Sequence, residues 1–215
     1  MNLLELFQLG GIVMYPLLIC SILLVAVSLE RAFYYLYSST NAERLVAAIR
    51  WNLQHRGYAE ALEVARKGRG PVAAVLCAGL LSVKKSDGAR MDEAMETTIA
   101  REVSKLEGRL RILEVITTIA PLLGLLGTVI GIIKNFNILS QAQGLAGAAA
   151  LSAGIAEALI TTAVGLMIGI PSFIIYSFFD SVVDKFVVRM NGAATVLLEI
   201  YSRGGEGDEL STRKA

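Results

Sequence analysis

The stretch "GIAEALITTAVGLMIGIPSF", Gly154–Phe173, holds one charged side chain, Glu157, in 20 positions. It also holds Thr161 and Thr162, followed by Gly165 and Gly169 at helical spacing. A run this apolar is either the core helix of a soluble domain or a membrane span, and the flanking sequence decides between them. From Asn135 to Phe179, Glu157 is the only charge. Two more runs are uncharged: "IVMYPLLICSILLVAVSL" (Ile12–Leu29) and "VITTIAPLLGLLGTVIGII" (Val115–Ile133). About 20 apolar residues in a helix cross roughly 30 Å of hydrocarbon, and all three runs are long enough. The 215-residue chain is only 18% charged and 54% hydrophobic, whereas soluble domains carry about 25% charged residues. The sequence therefore predicts an all-α, polytopic membrane protein with three transmembrane helices.

The first run does not read as a signal peptide. Its flank, "MNLLELFQLGG", contains Glu5 and no Lys or Arg, and a signal peptide needs a basic leading region. A retained helix over 12–30 is expected. Residues 1–11 form a stub that is either an amphipathic segment on the membrane surface or a frayed terminus.

Charge sets the expected orientation. Between Asn41 and Arg111 lie 13 Lys and Arg residues, while residues 1–11 and 135–150 have none. By the positive-inside rule, 31–111 and the C-terminal segment face the cytoplasm. The N-terminus and the loop 137–150 face the other side. The basic residues are interleaved with acidic ones, as on a solvated helical face, and no basic aromatic face for nucleic acid is present. Cys20 and Cys77 lie in different segments and form no disulfide framework or metal-binding spacing. His55, the only histidine, reads as a surface residue.

The cytoplasmic segment is helical by pattern. Apolar residues at Leu45, Ala48, Ile49 and Leu53, then at Ala61, Leu62 and Ala65, repeat at i, i+3, i+4. Breaks are expected at Gly57 and at "KGRGP" (Lys67–Pro71), since Gly and Pro punctuate helices. A third helix starts near Pro71 and a fourth after "SDG". Nothing between Met91 and Thr118 reads as a break, so that fourth helix is expected to run into a second span over 112–136. The third span, 151–179, is expected to continue outward as a cytoplasmic helix over 180–203. The tail 204–215 reads as disordered.

Stepping by about 3.6 residues collects a small, partly polar face on each of the later spans. On the second it comprises Ala120, Gly124, Thr128, Gly131 and Asn135; on the third, Gly154, Ala158, Thr162, Gly165, Gly169 and Ser172. Small faces let membrane helices approach closely, which accounts for most of the glycines. The second span runs outward and the third inward, so Thr128 and Thr162 are expected at similar depth. Each hydroxyl is either spent on its own helix or part of a polar track between helices. Thr161 reads as satisfied by its own helix. Glu157 either marks an ion or proton pathway, the default for a carboxylate in a span, or lies at the interface in contact with water. "GLLGTVIG" is glycine-rich but lacks the lysine of a phosphate loop. No nucleophile–base set or metal cluster accompanies it, so no enzyme and no cofactor are expected.

Two long stretches, "APLLGLLGTVIGIIKNF" (Ala120–Phe136) and "GIAEALITTAVGLMIGIPSFIIYSFFD" (Gly154–Asp180), resemble the MotA/TolQ/ExbB proton-channel proteins of bacterial inner membranes. "MYPLLICSILLVAVSLERAFY" and "EGRLRILEVITTIAPLLG" extend the likeness over nearly the whole chain. The resemblance implies a homopentamer in lipid around a pore holding helices of an ExbD/TolR-like single-span subunit, which supplies an intramembrane aspartate. It further implies a TonB- or TolA-like protein as the receiver of force. By position, Thr128 and Thr162 match the family's pore threonines, Glu157 its intramembrane glutamate, and Pro121 and Pro171 its span prolines. The chain lacks the large cytoplasmic domain of flagellar MotA, and an ExbB-like role in TonB-dependent transport is expected, with a TolQ-like role or a non-conducting scaffold as alternatives. With one intramembrane acid on this chain, the rest of a proton relay is expected on another subunit.

Overall fold

The computed structural model describes the backbone of residues 11–38, 42–83, 88–141 and 145–212. These form seven helices and no strand: α1 (Met14–Ser38), α2 (Ala42–His55), α3 (Tyr58–Lys67), α4 (Pro71–Val83), α5 (Gly88–Glu107), α6 (Leu110–Gln141) and α7 (Leu145–Thr212). Three of them contain segments long and apolar enough to cross a membrane, and the chain is an all-α integral membrane protein. The helices fall into two compact units. One comprises Met1–Arg31 with Arg109–Phe179, the other Ala32–Gly108 with Asp180–Ala215.

In the first unit the helices bury narrow stripes and leave their large apolar side chains outside. On α1 the buried residues Met14, Leu17, Leu24 and Val27 share one face, while Tyr15, Ile19, Ile22, Val25 and Leu29 are exposed. On α6 the buried stripe runs Leu113, Ile116, Ala120, Gly124, Gly127, Gly131 and Asn135. Leu122, Leu125, Leu126, Val129 and Ile133 point away from it. Exposed apolar surface on this scale is foreign to soluble monomers and suits a lipid solvent. Where α1 leaves the first unit, the Glu30 carboxylate lies 3.0 Å from Arg31 Nε and 3.2 Å from an Arg109 nitrogen.

The second unit is built like a water-soluble bundle. Ile49, Ala61, Ala65, Val75, Leu76, Leu80, Met91, Met95, Leu106, Val183, Phe186, Met190 and Leu197 form its core. The Tyr35 hydroxyl donates to the Leu106 carbonyl at 2.9 Å, and the Tyr35 ring packs on Phe186. Gly57 (φ +95°) and Gly70 (φ +88°) make the expected turns, in backbone conformations that favour glycine. Burial, and then the neighbouring Cys77, raise the Tyr58 phenol above its ordinary range.

Three boundaries differ from the sequence reading. The expected unbroken helix from Met91 to Thr118 is interrupted. Its hydrogen bonds stop with Gly108 N–H on the Ser104 carbonyl and restart with Ile112 N–H on the Arg109 carbonyl. A single glycine in a polar stretch costs only about 1 kcal/mol in a helix, so the pattern carried no strong break signal. The loop expected over 137–150 is shorter, because α6 extends to Gln141 and α7 begins at Leu145. The tail expected to be disordered from 204 is helical to Thr212. It follows a long helix and contains no proline, and propagation costs far less than nucleation. The stub 1–10 and residues 142–144 lie outside the described residues.

Candidate functional site

The small faces of α6 and α7 meet within the first unit. A side chain placed on Gly124 would sit 3.1 Å from Thr162 Cα, and one on Gly131 would sit 2.8 Å from Ala158 Cβ. One on Gly165 would lie 2.7 Å from the Ala120 carbonyl oxygen, and one on Gly169 2.7 Å from the Pro121 ring. One on Gly154 would strike the Asn135 amide. All five glycines of the sequence reading are thus positions of close approach, as small-residue packing requires. Gly127 belongs with them, since any side chain there would collide with Thr161. It falls off the face obtained by stepping 3.6 residues, because the contact stripe is wider than one residue.

These contacts set an antiparallel register in which Gly124 faces Thr162, Gly127 faces Thr161 and Gly131 faces Ala158. Thr128, one turn beyond Gly124, therefore lies within about a turn of Thr162. The two hydroxyls are used differently. Thr162 Oγ1 donates across the interface to the Gly124 carbonyl at 3.0 Å. Thr128 Oγ1 donates within its own helix to the Leu125 carbonyl at 2.6 Å. In a regular α-helix the Gly124 carbonyl is also the acceptor for the Thr128 N–H. One peptide oxygen thus joins the residues, although no direct hydrogen bond links their hydroxyls. Thr161 is 1% exposed and donates to the Glu157 carbonyl at 2.9 Å, the helix-satisfied arrangement expected from sequence.

Glu157 has a partner on this chain. Its Oε1 lies 3.1 Å from Lys134 Nζ, with the two side chains 29% and 51% exposed respectively. The carboxylate also rests against Gly11, where a side chain would collide with Glu157 Oε1. Next to Lys134, Asn135 is 3% exposed, and neither atom of its amide has a hydrogen-bond partner among the described residues. Lys134 was not among the residues singled out from sequence. Its signal was the same depth comparison that paired the threonines, carried one turn further along.

At the other end of the interface, Ser172 Oγ donates to the Leu113 carbonyl at 3.1 Å. Thr117 Oγ1 lies 2.9 Å from that carbonyl and 3.2 Å from Ser172 Oγ. Pro121 stands inside α6 and Pro171 inside α7. A proline lacks the N–H of a regular helix, which leaves the carbonyls of Thr117 and Met167 without their usual donors. Polar groups therefore recur along the whole α6–α7 seam. Such an arrangement can hand protons or water between hydroxyls, carbonyls and a carboxylate.

Comparison with known proteins identifies the family. The model of the MotA/TolQ/ExbB proton channel family matches residues 67–192. A protein of Synechocystis sp. named ExbB-like 1 is 34% identical over 177 residues, covering 81% of this chain and 69% of its own. The biopolymer transport protein exbB1 of Vibrio cholerae is 33% identical over 173 residues, 78% of this chain and 75% of its own. The Tol-Pal system protein TolQ of Pseudomonas aeruginosa is 42% identical over 96 residues, 45% of this chain and 41% of its own. With more than half its length matched by the family model and its spans meeting along a hydroxyl-bearing glycine seam, the chain belongs to the MotA/TolQ/ExbB proton channel family.

Proposed function

We propose that this chain is the channel subunit of an ExbB–ExbD-like motor in the bacterial inner membrane, using the proton-motive force to energise TonB-dependent outer-membrane transport. Its N-terminus faces the periplasm and 41–111 the cytoplasm, following the charge asymmetry. Five copies surround the helices of a single-span, ExbD/TolR-like partner whose intramembrane aspartate carries the proton. Thr128, Thr162 and Glu157 supply this chain's part of the path, and no enzyme chemistry is involved. The observation that carries the reading is the Thr162 hydroxyl reaching across a glycine-lined seam to the Gly124 carbonyl. A hydroxyl that both donates and accepts can exchange protons with a neighbour, and polar groups in spans mark pathways.

A TolQ-like role in envelope maintenance is the second reading, favoured by the higher identity to TolQ over a shorter stretch. The ExbB-named relatives resemble the chain over more of its length. Cells carrying Thr162→Ala or Thr128→Val should assemble the complex normally yet lose energised uptake or envelope integrity. Whichever phenotype is lost assigns the subtype. Full activity of both variants would overturn the channel reading and leave a structural scaffold.

A further inference from the structure

We propose that Lys134 determines which ion this channel admits, by holding Glu157 in a neutral pair that protons can exchange with and alkali cations cannot occupy. The inference rests on the channel reading above. Acidic side chains arranged in rings make cation-selective pores, and Glu157 is the only acid between Asn135 and Phe179. Here that carboxylate is already neutralised by an ammonium at 3.1 Å on the adjacent span. A sodium ion arriving there meets no net negative charge to compensate the loss of its water, and must first displace a fixed cation. Shedding hydration without such compensation costs an ion several kcal/mol.

A proton escapes this restriction because it moves by exchange between oxygens and carries no hydration shell of its own. The residue beside Lys134 offers it a place to pass. The Asn135 amide is buried at the seam with both its donor and its acceptor unused among the described residues. Buried polar groups of this kind are served by ordered water. From there, the next polar atoms along α7 are the Glu157 carbonyl with its Thr161 hydroxyl and then Thr162. The ion pair and the amide thus separate two functions at one end of the spans: exclusion of alkali cations and wetting of the proton route.

The test uses the full chain, co-purified with its single-span partner and reconstituted in liposomes, with sodium and proton flux followed by separate dyes. The unsubstituted complex should pass protons and little sodium. Lys134→Gln should raise the sodium-to-proton flux ratio by about tenfold or more, since it exposes an uncompensated carboxylate. Lys134→Arg should keep the original ratio, and adding Glu157→Gln to Lys134→Gln should bring sodium flux back toward the unsubstituted level. An unchanged ratio in Lys134→Gln, with proton flux retained, would overturn this inference alone. No flux of either ion through the unsubstituted complex would overturn the channel reading together with it.

Discussion

The two units solve the same packing problem with opposite side chains. The unit of Ala32–Gly108 and Asp180–Ala215 puts Leu76, Leu80, Met95 and Met190 inside. Its charges lie outside, in exposed pairs such as Arg66–Glu63. The membrane unit puts Gly124, Gly127, Gly131 and Gly165 inside and faces Leu122, Leu126, Ile133 and Phe173 outward. In water, burying a large apolar side chain is the main gain. Lipid is as apolar as leucine, so helices there associate through close backbone approach and hydrogen bonds. Along the seam of the membrane unit, the glycines are the contact itself.

Substitutions can break or sharpen this contrast. The largest effect is expected for Leu76→Ala, which is 1% exposed in the bundle core. It should cost about 2–5 kcal/mol, read as earlier local unfolding by hydrogen exchange. The same change at Leu126, 47% exposed on α6, should cost far less; an equal cost would break the comparison. Next comes Gly165→Ala, whose added carbon would lie 2.7 Å from a backbone oxygen. Forcing α6 and α7 apart there should cost about 1–3 kcal/mol, measured by unfolding in mixed detergent. Gly192→Ala should act in the opposite direction, since a side chain there meets nothing within 4 Å. Removing an exposed glycine from a helix should stabilise by about 0.8–1 kcal/mol, and a destabilisation would show that this face is covered in the assembled protein. The smallest stability change is expected for Thr162→Val, about 0.6 kcal/mol, typical of interhelical hydrogen bonds in membranes. Its functional loss should nevertheless be near complete, which separates a conducting hydroxyl from a structural one.

The span count was legible because an uncharged apolar run of about 20 residues has the length of a bilayer crossing and exceeds what a core helix needs. The breaks at Gly57 and before Pro71 were legible because the residues themselves dictate turns. The break at Gly108–Arg109 was not, for it sits among good helix formers and shows only where the hydrogen bonds stop. At the site, periodicity located Thr162, Gly124 and Asn135, because one face of a helix is a property of the sequence. The partner of each polar group is a property of two helices. Periodicity therefore could not say that Thr162 reaches Gly124 while Thr128 turns back to Leu125. The Lys134–Glu157 pair needed the register as well.

That pair also bears on how the protein enters the bilayer. A span that carries Lys134 near its end and another that carries Glu157 near its start are each poor solitary passengers through an insertion machine. Paired, the two charges cancel, and the load presented to the lipid falls. The second and third spans are thus suited to partition as a single helical hairpin.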